Sequence, residues 1–231
     1  TPLLEDSRLL LANTLLLAEE TQARLLTITG LQDSLESSMI ALHLARLLAQ
    51  CRCNVLLVDA NLAHPMQHIW NEKPLQGGLV ELLEFAQDAD RESIRGKGQF
   101  RPKIREPGVS PIGRYLQRTA LPSLQLLPAG KAQRDPATIL GMSALPQLLH
   151  QALNFVDFVI IDCPSFSQAE VHLLGASSDQ LLLVVNSACN RLPQIEQAIE
   201  NFSQAGIKPG GLIVVQSRLN HRFQAGGDGS L

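Results

Sequence analysis

Leu25 to Ala49 reads LLTITGLQDSLESSMIALHLARLLA, and this stretch decides the fold. Leu25 to Thr29 is a short apolar strand, and past the loop Ile40, Leu44, Leu47 and Leu48 recur at helical spacing along one face. Strand, loop and helix in that order make the frame of a nucleotide site. A working loop of this kind reads GxxxxGK[ST]: glycines let the backbone amides curl round the phosphates, and a lysine supplies positive charge. Here Ser34, Glu36 and Ser37 hold the glycine and lysine positions, so the frame is present without the groups that hold phosphate.

The rest of the chain repeats the same alternation. Asn54 to Asn61, NVLLVDAN, is a second apolar strand ending on Asp59, and Asp157 to Pro164, DFVIIDCP, is a third ending on Asp162. Between them lies LQLLPAGKAQRDPATIL, and after them DQLLLVVNSACNRLPQIEQAIENFSQAGIKPGGLIVVQSRL. In that order and spacing, from about Leu4 to Leu219, the chain resembles the cytoplasmic kinase domain of the bacterial tyrosine kinases that serve polysaccharide export, in the ParA/MinD branch of P-loop proteins. The resemblance implies a doubly wound, mostly parallel α/β sheet, with any ligand at the C-terminal ends of the strands.

The 231 residues fit a single domain, 1–231, large enough to bury about 70% of the unfolded chain's surface. Apolar residues make up 45% and charged residues 18%, the balance of a globular protein with a substantial core. A net charge of −3 argues against nucleic acid or an anionic membrane as partner. The longest apolar run is Leu181 to Val185, the length of a strand rather than a membrane span, so the chain reads as soluble. Cys51, Cys53, Cys163 and Cys189 are too few and too dispersed for a disulfide framework, and a cytoplasmic location follows.

Strands are expected near Leu25–Thr29, Asn54–Val58, Leu124–Leu127, Asp157–Ile161, Gln180–Val185 and Gly211–Gln216. Their continuous apolar character is that of strands buried on both faces. Helices are expected from Thr1-Pro2 to about Glu20, then over Glu36–Gln50, Gly78–Ala86, Pro136–Leu153 and Pro193–Ala205, the last stopped by Gly206. An insertion at about 87–120 breaks this rhythm, with eight basic residues against four acidic ones and repeated glycine and proline from Gly96 onward. It reads as a solvated loop or as a docking surface for an acidic partner or a lipid headgroup. A flexible tail, 220–231, closes the chain.

Aligned with the family's loop, Ser34 and Glu36 fall on the two small glycines, Ser37 on the lysine and Ser38 on the magnesium-binding hydroxyl, so the resemblance retains only the last. Asp33-Ser34-Leu35-Glu36 also has the form of a capping box, in which the first side chain caps the helix and the glutamate bonds back. On that reading the protein's own carboxylates take the place of the phosphate at the helix N-terminus. The kinases' second strand ends Asp-x-Asp before basic residues, where this chain has Asp59-Ala60-Asn61 followed by Leu62, Ala63 and His64. Asp162 matches the family's second metal-associated aspartate, and the base-contacting asparagine falls on Ser217. Ser34, Glu36, Ser37, Ser38, Asp59, Asn61, Asp162 and Ser217 thus outline a vestigial nucleotide cleft, and any metal would sit on Ser38, Asp59 and Asp162.

The kinases phosphorylate their own C-terminal tyrosine cluster, whereas the only tyrosine here is Tyr115. Of the Glu-x-x-Arg-x-x-Arg helix with which they pack against a neighbouring subunit, Glu5 and Arg8 are kept and Leu11 replaces the second arginine. Homo-oligomer formation stays open on that count. His64 and His68 are four apart but lack an acidic ligand nearby, and Ser165 and Ser167 lack a glycine elbow.

These features lead to a non-catalytic pseudo-ATPase or pseudokinase as the expected function, with no cofactor. It would serve exopolysaccharide or capsule export through the cytoplasmic part of an inner-membrane chain-length regulator or through a kinase paralogue. The alternatives are a divergent ATPase or tyrosine autokinase using ATP or ADP with magnesium, and a MinD-like positioning protein. The last is disfavoured by a C-terminal segment without a basic amphipathic helix.

Overall fold

Apolar runs that alternate with amphipathic helices have one economical solution, a parallel sheet covered on both faces, and the chain adopts it. A computed structural model describes residues 2–72, 74, 77–95, 111–207 and 209–216. In chain order the elements are α1 (Pro2–Thr21), β1 (Leu25–Gly30), α2 (Leu35–Gln50), β2 (Val55–Asp59), α3 (Gln67–Trp70) and α4 (Leu79–Arg95). Then follow β3 (Gln117–Arg118), β4 (Leu124–Leu127), α5 (Pro136–Leu140), α6 (Ala144–Ala152), β5 (Phe158–Asp162), α7 (Glu170–Ala176), β6 (Gln180–Asn186), α8 (Leu192–Gln204) and β7 (Pro209–Val215).

The sheet order is β3-β4-β2-β5-β1-β6-β7. Every neighbouring pair is parallel except the two-residue edge strand β3, which runs antiparallel to β4. Strand pleating sends successive side chains to opposite faces. Leu26, Ile28, Leu57, Ile160 and Leu182 meet α1 and α2 on one side. Leu25, Leu56, Val58, Ile161 and Leu183 meet α4 to α8 on the other. Each of these side chains is worth roughly 1.5–3 kcal/mol when fully buried, so both layers contribute.

β1 lies between β5 and β6, and the chain passes from β5 to β6 across it. That reversal is a topological switch point at the C-terminal end of β1, where open α/β sheets bind ligands.

Some elements differ from expectation. Helix α4 runs on to Arg95, nine residues past the expected end at Ala86, because no glycine or proline intervenes before Gly96. The first part of the insertion is therefore helical, and its 96–110 portion lies outside the described residues, as does the tail. The helix expected over Pro136–Leu153 divides at Gly141, which closes α5, and restarts at Ala144. Asp135 caps α5 by accepting the Thr138 backbone N–H at 3.0 Å. Gly206 ends α8 at φ 74°, a left-handed conformation that favours glycine. Among the described residues no helix is long and apolar enough to cross a membrane.

Candidate functional site

The C-terminal ends of β2 and β5 carry Asp59 and Asp162. The two strands pair in register, Asp59 opposite Asp162, and both side chains have no exposed surface. Burial of like-charged groups side by side disfavours ionisation. Loss of solvent raises the Asp162 pKa to about 6, although hydrogen bonds from Gln67 and Ser38 pull it back. Desolvation first, and then the Asp162 charge, raise Asp59 well above the usual carboxylate range, with the backbone amides of Gln67, Asn61 and Met66 offsetting part of this.

Ser38, on the first turns of α2, donates its hydroxyl to Asp162 Oδ1 at 2.8 Å. Gln67, the first residue of α3, is fully buried, and its Nε2 donates to Asp162 Oδ2 at 2.6 Å and to the Ser38 carbonyl at 2.9 Å. Its backbone N–H donates to Asp59 Oδ2 at 3.0 Å. Asp59 Oδ1 and Gln67 Oε1 are buried with no hydrogen-bond partner among the described residues.

The phosphate side of the switch point is built differently. Ser34 is the N-cap of α2 in an extended conformation, with no side-chain capping bond. Glu36 accepts a 2.6 Å hydrogen bond from Asn186 Nδ2 at the end of β6, and Asn186 Oδ1 in turn accepts from Ala188 N. The capping box expected over Asp33–Glu36 does not form. Because Ser34 rather than Asp33 flanks the helix, Glu36 sits at its second position, one short of the third from which a box glutamate reaches back. Ser37 is buried, and its Oγ lies against Gly30, where an added Cβ would come within 3.2 Å of it and 3.0 Å of Gln32 O.

Ser38, Asp59 and Asp162 are thus brought together, while Glu36 is drawn towards β6. Asn61 instead closes a turn, its Oδ1 accepting from His64 N at 3.3 Å. Ser217 lies outside the described residues. His64 and His68 join no group of three His, Cys, Asp or Glu side chains able to hold a metal among the described residues. Ser165 and Ser167 bond each other at 2.9 Å. Tyr115 is half-buried against the core beside Gly77. Sequence reasoning missed Gln67 and Asn186. Neither carries a motif, and the only available signal was a polar residue closing the apolar run of β6.

Magnesium in nucleotide sites takes oxygen ligands from one or two side chains together with phosphate. Ser38 and Asp162 supply part of such a set, but an amide N–H, which cannot ligate a cation, holds the second Asp162 oxygen. A carboxylate, Glu36, stands where the resembled loop has a glycine. The residues in this arrangement do not fit a magnesium–nucleotide complex.

A parallel sheet of this order, a strand–loop–helix unit at its switch point and aspartates ending the neighbouring strands β2 and β5 define an α/β fold of the P-loop, ParA/MinD kind. The kinase domain of VpsO has a TM-score of 0.74 to this chain at 20% identity, covering 93% of this chain and 95% of that one. A ParA family ATPase from Chlorobium tepidum scores 0.62 at 18% identity, covering 85% and 74%. Tyrosine-protein kinase ptk of Acinetobacter johnsonii is 26% identical over 191 residues, 82% of this chain. The chain is homologous to the bacterial tyrosine-protein kinases and has the fold of their kinase domains, without the glycine and lysine of their phosphate loop. It spans 23% of the length of the Acinetobacter relative. No protein-family model matches it.

Proposed function

We propose that this chain is a pseudo-ATPase, a non-catalytic relative of the polysaccharide-export tyrosine kinases that acts as a cytoplasmic interaction or assembly subunit. The observation that supports this reading is the Glu36–Asn186 hydrogen bond, which holds the carboxylate that stands where the resembled loop has a glycine. A carboxylate about 4 Å from a phosphate opposes it by roughly 4 kcal/mol per unit of phosphate charge at an effective dielectric near 20. That is about a thousandfold in affinity, before the absent lysine is counted. The partner would be the cytoplasmic part of an inner-membrane chain-length regulator or a kinase paralogue, met through a surface shared with the active relatives.

A second reading, a divergent magnesium-dependent ATPase or tyrosine autokinase, rests on the retained Ser38–Asp162 pair with Asp59 beside it. Calorimetric titration with ATP and ADP at millimolar ligand, with and without magnesium, separates the two. The pseudo-ATPase reading expects no heat of binding. Micromolar, magnesium-dependent binding would favour the enzyme and make Ser38, Asp59 and Asp162 the next residues to replace.

A further inference from the structure

We infer that Gln67 is a positioning residue standing in for a cation: its side-chain amide holds Asp162, ties α3 to α2, and closes the strand-end aspartates to divalent metal. The inference rests on the pseudo-ATPase reading and names the group that does the closing.

Four groups meet with almost no exposed surface: Gln67, Asp59, Asp162 and Ser38. Burying an amide is costly unless its donors are used, and here they are. The acceptors of Nε2 are a carboxylate oxygen and a backbone carbonyl, neither of which can donate. The orientation of the amide is therefore fixed, nitrogen towards Asp162 and oxygen away.

Among the described residues, neither aspartate is bonded to a lysine or arginine side chain. The donors that hold the pair are neutral ones, and Gln67 supplies two of them, a side-chain amide to Asp162 and a backbone N–H to Asp59. One residue thus bridges both strand ends. The oxygens around it, from Asp59, Asp162 and Ser38, are the hard donors that magnesium or manganese prefers. Taking the amide away frees Asp162 Oδ2 on the residue paired with Asp59, whose Oδ1 already lacks a donor.

The test is binding of divalent manganese alone, followed by electron paramagnetic resonance, to the whole chain and to Gln67→Ala and Gln67→Glu. The wild type is expected to leave millimolar manganese free. Both variants are expected to bind it at least about tenfold more tightly, and Asp162→Asn added to either should abolish the gain. A merely structural role for Gln67 would weaken folding without creating a metal site.

Because Gln67→Ala removes two buried side-chain hydrogen bonds and the packing around them, each variant is first checked for native circular dichroism. The wild type supplies a second arm that needs no variant. The side-chain amide signals of Gln67 should stay in place on addition of magnesium, and a shift would overturn the inference. Folded variants that bind no manganese would overturn it as well. Manganese uptake by the wild type without nucleotide would overturn the plug and leave the phosphate-loop argument intact, whereas nucleotide binding without metal would overturn the pseudo-ATPase reading alone.

Discussion

Asp59 and Asp162 face each other across two paired strands, in register and without exposed surface. Both have folded-state pKa values above the ordinary carboxylate range, so the folded chain holds more protons than the unfolded chain between roughly pH 4 and the folded values. The stability contributed by neutral carboxyls is complete below the unfolded pKa. It is lost as pH rises through about 6 for Asp162, and for Asp59 as pH rises through a folded value well above the ordinary carboxylate range.

Asp59→Asn keeps an oxygen for the Gln67 backbone N–H and mimics the neutral acid. It is expected to gain stability over the wild type as pH rises from the ordinary carboxylate range upward, and to lose that advantage as pH falls, read as urea midpoints. A variant weaker than the wild type at the higher pH would show that the folded chain needs the Asp59 charge.

The Glu36–Asn186 bond joins residues 150 apart in sequence and fastens the start of α2 to the end of β6. A bond to a charged group contributes more than a neutral one, but Glu36 is only half-buried, so solvent discounts it. A double-mutant cycle with Glu36→Ala and Asn186→Ala is expected to give a coupling of about 1 kcal/mol in chemical denaturation. A coupling indistinguishable from zero would mean that the bond does not hold the loop.

Phe202 closes the layer formed by α4 to α8. It is fully buried and meets Phe166 edge-on, with ring centroids 5.0 Å apart. Phe202→Ala leaves a cavity between α8 and the sheet and is expected to cost about 3–5 kcal/mol in unfolding free energy. Loss of less than about 1 kcal/mol would indicate that α8 collapses into the space.

The parts of this molecule that were legible in sequence are those that depend on local pattern. The runs at Leu25, Val55, Phe158 and Leu181 are apolar on both faces because both faces are covered, and a parallel sheet follows from that alone. The residues at the switch point were legible as positions, through Asp59 and Asp162 at strand ends, but not as interactions. Gln67 reaches a carbonyl 29 residues away and a carboxylate 95 away, from a four-residue helix too short to show periodicity. The capping box failed for a related reason. A local motif placed Glu36 correctly near the helix start, and a side chain from a distant strand then claimed it.

If the altered loop alone removes nucleotide binding, restoring it should bring binding back. Ser34→Gly and Glu36→Gly return the two small residues and lift the carboxylate from the loop, and Ser37→Lys supplies the missing charge. Ser38 needs no change, since its hydroxyl already faces Asp162. Removing a repulsion of roughly 4 kcal/mol is worth about a thousandfold, enough to move ADP from undetectable to measurable at millimolar ligand. Calorimetry on the triple variant checks this. Ser37 is packed against Gly30, so its replacement by lysine requires the loop to recurl, which the two new glycines permit. A folded triple variant that still ignores ADP until Gln67→Ala is added would place the remaining block on the amide at the strand ends. Binding by the triple variant alone would assign the whole loss to the loop.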